Sequence, residues 1–128
     1  MTTGGTVGVT VHVVPPAEVR EGLRELAIAS SGKARRTVAV LGGLPGSRED
    51  LMDLGRYVVR LDISSLLVVG EAGPMHAGAV LEGSWGEESR HVETEGEALA
   101  LLRADLRDHD VVLVSGLPSI ARALGAAA

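Results

Sequence analysis

The chain has 128 residues and a formal net charge of −5; 45% of its residues are hydrophobic and only 2% are aromatic. This length suits one domain, and the aliphatic composition suits buried parallel strands covered by helices. The lack of cysteine excludes disulfides, thiolate metal sites and a cysteine nucleophile, and the few aromatic and clustered basic residues argue against a nucleic-acid-binding module.

Strand-like and helix-like patterns alternate along the chain. Valines at every second position predict the first strand, and one proline pair ends it. Glycine turns and 3.6-residue periodicity mark the later elements. The predicted strands are 6–14, 37–41, 65–69, 89–92 and 110–114. The predicted helices are 17–30, 48–61, a short one ending near 81, 95–106, and a last one ending near 124.

Five β–α units in series predict an α/β fold: a three-layer, Rossmann-like domain with a mainly parallel sheet of five to six strands. We expect one domain over 1–128, with 1–5 and 126–128 flexible. Ser47 and Thr94 are the expected N-caps of the second and fourth helices.

In such sheets, ligands bind where the strands end. Weak ligand-binding candidates at this rim are Gly42, Gly43, Glu71, Ser115 and Gly116. Two interpretations stay open. The glycines serve only the turns, and Ser115 or Ser119 caps the last helix; alternatively, the amino end of that helix holds an anion.

No catalytic residue and no metal site is predicted. The turn at 42–47 lacks the lysine of a phosphate-binding loop, and no dinucleotide fingerprint follows the first strand. The four histidines are scattered without metal-ligand spacing, and Glu71 has no partner for acid–base chemistry.

Several stretches together resemble the C-terminal domain of the Mur ligases, most closely the branch that adds D-alanyl-D-alanine. They are Arg35–Gly42, Gly55-Arg56 through Leu67–Glu71, Gly83–Glu88, and Ala98–Arg103 leading into Asp110–Val114. The resemblance covers about residues 13–124 and implies a Rossmann-like domain that, in the full enzymes, closes over ATP during amide-bond formation.

The chain departs from that family where its members contact anionic ligands. Val11–Pro16 stands where the family has a polar Tyr-Asn-Ala-Asn-Pro segment, and Gly43 replaces a carboxylate. The family histidine of the second helix falls near Leu51, and Ser115–Pro118 lacks the family's lysine and arginine. Because each charge-assisted contact typically contributes about 1.5–3 kcal/mol, we expect most of the family's ligand affinity to be lost.

The resemblance and the departures together favour a stand-alone domain related to peptidoglycan biosynthesis, not catalytic by itself, that acts as a binding or protein-interaction module. One alternative is a subunit of a split ATP-dependent acid–amino-acid ligase. Another is a domain that binds a small apolar ligand at a rim formed by Val13, Val14, Leu44 and Leu117.

We expect no cofactor, with ATP and Mg²⁺ entering only if a partner supplies the central ATPase domain. A protein partner or self-association is expected, including a Mur-ligase-like subunit, and neither nucleic acid nor membrane. The N-terminal residues lack signal-peptide character, so the expected location is the cytoplasm.

Overall fold

The computed structural model describes residues 2–3, 8–30, 35–84 and 88–125. Its sheet has six strands in the order β1-β2-β6-β3-β4-β5. The strands are β1 Thr2–Thr3, β2 Thr10–Val14, β3 Thr37–Gly42, β4 Ser65–Val69, β5 Ser89–Val92 and β6 Val111–Ser115. The helices are α1 Val19–Ser30, α2 Arg48–Arg60, α3 Pro74–Leu81, α4 Glu95–Asp105 and α5 Pro118–Ala123.

Strands β2 to β6 are mutually parallel, and β1 pairs antiparallel with the outer strand β2. The α/β prediction with a mainly parallel, Rossmann-like sheet is therefore confirmed. Each predicted strand and helix has a counterpart, whereas the short strand β1 was not predicted. Residues 4–7 and 126–128 lie outside the described ranges.

Two hydrophobic layers cover the two faces of the sheet. Helices α1, α2 and α3 pack on one face, with Leu23, Leu54 and Met75 fully or nearly fully buried. Helices α4 and α5 pack on the other face, with Leu102 and Ile120 buried there. Strands β3, β4 and β6 are buried along their whole length because both their faces are covered, which explains their continuous apolar runs.

Helices α2 and α3 cross at unusually close backbone distance. A Cβ atom added to Gly55 would lie 1.9 Å from the carbonyl oxygen of Met75, and one added to Gly78 would lie 2.0 Å from that of Met52. Only glycine allows two helix backbones to approach this closely. These two residues therefore set the position of α3 against α2.

The predicted N-caps of α2 and α4 are confirmed. The Ser47 hydroxyl accepts a hydrogen bond from the Asp50 backbone N–H, and the Asp50 carboxylate accepts one from the Ser47 N–H, which forms a capping box. The Thr94 hydroxyl accepts a hydrogen bond from the Glu97 N–H. None of the helices in the described ranges combines the length and apolar character needed to span a bilayer.

Candidate functional site

Two glycine-bearing loops meet at the rim where the strands end. Because β6 lies next to β3, the loop after β6 faces the loop after β3. A Cβ atom at Gly43 would lie 2.7 Å from the Gly116 carbonyl oxygen, and one at Gly116 would lie 1.6 Å from that of Gly42. Gly43 and Gly116 also have positive φ angles of 55° and 76°. The close approach therefore requires glycine at both turns.

Ser115 and Leu117 close the remaining space between these strand ends. Ser115 is fully buried, and its hydroxyl donates a hydrogen bond to the Val14 carbonyl oxygen at 2.9 Å. The Leu117 side chain is buried, and its Cδ2 atom would lie 2.8 Å from a Cβ atom at Gly42. The N-cap of α5 is Leu117, without a side-chain hydrogen bond, so the prediction that Ser115 or Ser119 caps this helix was wrong.

The open surface at the rim is a groove beside the loop after β3, which we call the Glu71 groove. It has a volume of about 420 Å³ and is lined by Gly43, Leu44, Pro45, Gly46, Leu51, Glu71 and Ala72. Glu71 lies in a single 3₁₀ turn after β4 and is exposed. The groove thus combines a few apolar side chains with the backbone of two glycines and one solvated carboxylate.

A second groove, the Arg20 groove, lies on the other side of Leu44 and Pro45. It has a volume of about 300 Å³, and its apolar lining also includes Pro16, Ala17, Val19, Leu51 and Leu54. Arg20 and Asp50 supply its charged groups, and the Arg20 guanidinium carbon lies 5.0 Å from the centre of the Tyr57 ring. This distance is typical of a cation–π contact, which helps hold the guanidinium beside α2.

The capping box at the start of α2 favours the anionic form of Asp50. The hydrogen bond from the Ser47 backbone and that from the Ser47 hydroxyl lower the pKa of the Asp50 carboxyl, and the charge of Arg20 lowers it further. The Arg20 groove therefore presents one cation and one anion at neutral pH.

Some of the predicted site residues serve contacts within the fold, and some line an open groove. Gly42, Gly43 and Gly116 are brought together, but as contacts between backbones, and Ser115 is turned toward Val14. Gly43 and Glu71 line the same groove. Of the predicted apolar rim, Leu44 lines both grooves, Val13 is 42% exposed and Leu117 is buried.

Sequence reasoning missed Arg20, Asp50, Pro45 and Ala72 as groove residues. The apolar Leu44-Pro45 pair after two glycines was the only local signal, and Arg20 looked like an ordinary polar residue of an amphipathic helix. Within the described residues, no group of three or more His, Asp or Glu side chains has the arrangement of a metal site.

Comparison with known proteins gives relatives of one kind. The chain is 43% identical over 134 residues to the UDP-N-acetylmuramoyl-tripeptide–D-alanyl-D-alanine ligase of Mycobacterium leprae, an alignment that covers 88% of this chain and 26% of that enzyme. It is also 43% identical over 153 residues to the enzymes of the same name from Mycobacterium bovis and Mycobacterium tuberculosis. Those alignments cover 97% of this chain and 30% of each enzyme. This chain resembles a domain of the Mur ligases.

A solved structure agrees with this resemblance at the level of the fold. A domain assigned to a UDP-N-acetylmuramate:L-alanyl-gamma-D-glutamyl-diaminopimelate ligase of Haemophilus ducreyi superposes with a TM-score of 0.66 at 16% identity, covering 97% of this chain and 94% of that one. No family model matches the chain. The chain spans 26–30% of the length of the curated Mur ligases it matches, so it corresponds to one part of such an enzyme.

Proposed function

We propose that this Mur-ligase-type domain is a binding module that is not catalytic by itself. Its ligand binds in the Glu71 and Arg20 grooves, on either side of Leu44 and Pro45. The ligand class is a short peptide or chain segment with apolar side chains, carrying charge at its ends. Nucleotide binding is not a property of this domain alone.

One observation carries the proposal: the Ser115 hydroxyl and the glycine loops at the strand ends are used within the fold, and apolar side chains line part of the open surface beside them. The Ser115 hydroxyl bonds to Val14, and the Gly116 loop lies against the Gly42 carbonyl. Leu44, Pro45 and Leu51 line both open grooves. Apolar walls with a few placed charges favour a peptide over a polyphosphate, which needs converging N–H groups and cations.

The charged groups at the groove margins support the same ligand class. The carboxylates of Glu71 and Asp50 can accept hydrogen bonds from an ammonium group, and the Arg20 guanidinium can donate to a carboxylate. A zwitterionic peptide presents both of these groups, whereas a nucleotide would bring additional negative charge to a surface with two carboxylates.

Amide NMR titrations of the ¹⁵N-labelled chain test the proposal. Leucine- or valine-containing dipeptides should shift the signals of Leu44, Leu51 and Ala72 in a saturable manner. Replacing Leu44 by Asp should abolish these shifts. Replacing Val80 by Asp is the control and should leave them unchanged, because Val80 is exposed and lines neither groove. Shifts that are absent, or equally large in both variants, would contradict the proposal.

A second candidate function follows from the partial coverage of the relatives. Since the related ligases are more than three times as long as the matched region, the domain is also a candidate part of an ATP-dependent ligase whose ATP-binding domain lies elsewhere. Co-expression with an ATPase domain of this family tests it. Complex formation with amino-acid-dependent ATP turnover would support the ligase, and a lack of both would exclude that pairing.

A further inference from the structure

The edge of the sheet where the strands begin carries a separate pocket, which we call the entry pocket. Its volume is about 230 Å³, and its charged lining consists of Arg36, Arg90, Arg107, Glu88 and Asp105. The hydroxyl-bearing residues Ser64 and Ser65 complete the lining. The pocket lies at the opposite end of the strands from the two rim grooves.

Three of the seven residues that line this pocket are arginines. Their guanidinium groups are matched in number by the carboxylates of Glu88 and Asp105 in the lining and by that of Asp110 behind it. Arg36 is occupied within the fold, because its Nη2 atom donates to the Asp110 carboxylate and to the Asp105 carbonyl oxygen, each at 2.7 Å. Asp110 in turn also accepts the Arg107 backbone N–H at 2.9 Å. The framework of the pocket is therefore held by hydrogen bonds that do not use the Arg107 side chain.

Two of the guanidinium groups keep unused donors. The Arg90 Nη2 atom donates to the Asp105 carboxylate at 2.6 Å, but its Nε atom is buried without a hydrogen-bond partner in the part of the chain that the structure describes. The Arg107 side chain is exposed and forms no ion pair with another described residue. Since a guanidinium has five donors in a planar fork, both residues have the capacity to bind an oxyanion.

We propose that the entry pocket binds a small oxyanion, a phosphate or a carboxylate. Arg107 and Arg90 are its main ligands, and the Ser65 hydroxyl is a supporting donor. The pocket is smaller than the roughly 300 Å³ at which sites for drug-sized molecules begin, so it fits an anionic group and not a whole cofactor. Arg90 and Asp105 offset each other's charge, so Arg107 supplies the charge that attracts the anion, and Arg90 contributes through its unused Nε donor.

Titration of the complete chain with inorganic phosphate and, separately, with acetate tests this site. The amide signals of Ser65 and Arg107 and the Nε–H signal of Arg90 should shift with saturation, at an ionic strength held constant with sodium chloride. Tighter binding of phosphate would identify a phosphate site, and tighter binding of acetate a carboxylate site. Shifts that sodium chloride alone produces to the same extent, or shifts that never saturate, would overturn the proposal.

Paired arginine variants separate a built site from general charge attraction. Arg107→Ala should weaken anion binding about tenfold, the usual scale for a charge-assisted contact. Arg103→Ala is the matched control, because Arg103 is also exposed and cationic but does not line the pocket. Equal weakening in both variants would contradict the proposal, and equal urea midpoints would show that both still fold.

Discussion

The close crossing of α2 and α3 predicts that replacing Gly55 by alanine destabilises the protein. Replacing Gly55 by alanine would place a Cβ atom 1.9 Å from the Met75 carbonyl oxygen, whereas real Cβ atoms essentially never lie within 3.0 Å of such an atom. The obstacle is backbone of the facing helix, which no side-chain rotation can move. The two helices would therefore have to separate locally by at least about 1.1 Å, the difference between these two distances.

Two opposing effects decide the size of the change. Overpacking a well-packed interface typically costs about 1–3 kcal/mol, and a clash between backbones belongs at the upper end of that range. Alanine in a helix interior recovers about 1 kcal/mol relative to glycine. We therefore expect Gly55→Ala to lower the free energy of unfolding by about 2 kcal/mol.

Urea denaturation followed by circular dichroism measures this change. With a typical m value, a loss of about 2 kcal/mol lowers the urea midpoint by about 1 M or more. Gly96→Ala in α4 is the control, since the nearest atom to its added Cβ would be the Thr94 hydroxyl oxygen at 3.9 Å. The control should be as stable as the unchanged chain or slightly more so. A Gly55→Ala variant at least as stable as the unchanged chain would refute the close crossing.

Three further changes test other parts of the fold. Asp110→Asn should lower the free energy of unfolding by roughly 1–3 kcal/mol in urea experiments, because the partly buried Arg36 loses its ionic partner; an unchanged midpoint would contradict this. Burial, and then a neighbouring histidine, lower the pKa of His76, so stability should fall as the pH drops below the ordinary histidine pKa of about 6.5. His76→Gln should flatten the dependence of stability on pH between pH 7.5 and 5. An identical dependence in the variant would show that His76 does not cause the fall in stability. Leu117→Ala should cost about 2–4 kcal/mol in the same assay, since it opens a cavity over Gly42, and a loss well below 1 kcal/mol would argue against its burial.

The succession of strands and helices along the chain can be predicted from the sequence because each element carries a strong local signal. Buried parallel strands such as 65–69 show continuous apolar runs, and Ser47 with Asp50 marks the start of α2. Gly55 and Gly78 gave no comparable signal, since a glycine within a helix indicates a close contact only when the facing helix is known. Periodicity therefore predicted the elements but not how α2 and α3 meet.

The candidate site is less predictable because it depends on the order of the strands within the sheet, which differs from their order along the chain. The insertion of β6 between β2 and β3 is what brings Gly116 against Gly42 and turns the Ser115 hydroxyl toward Val14. It also leaves Leu44 and Pro45 between two open grooves, with Arg20 approaching from α1. No local pattern in the sequence specifies this arrangement.

We propose that the strand-end rim of this Mur-ligase-like domain binds a ligand with apolar side chains and not a nucleotide. Isothermal titration calorimetry of the chain alone with Mg²⁺–ATP tests this proposal. We expect no saturable heat of binding, because the Ser115 hydroxyl is engaged within the fold and the open grooves carry exposed carboxylates beside their apolar side chains. Saturable micromolar binding of ATP would contradict the proposal.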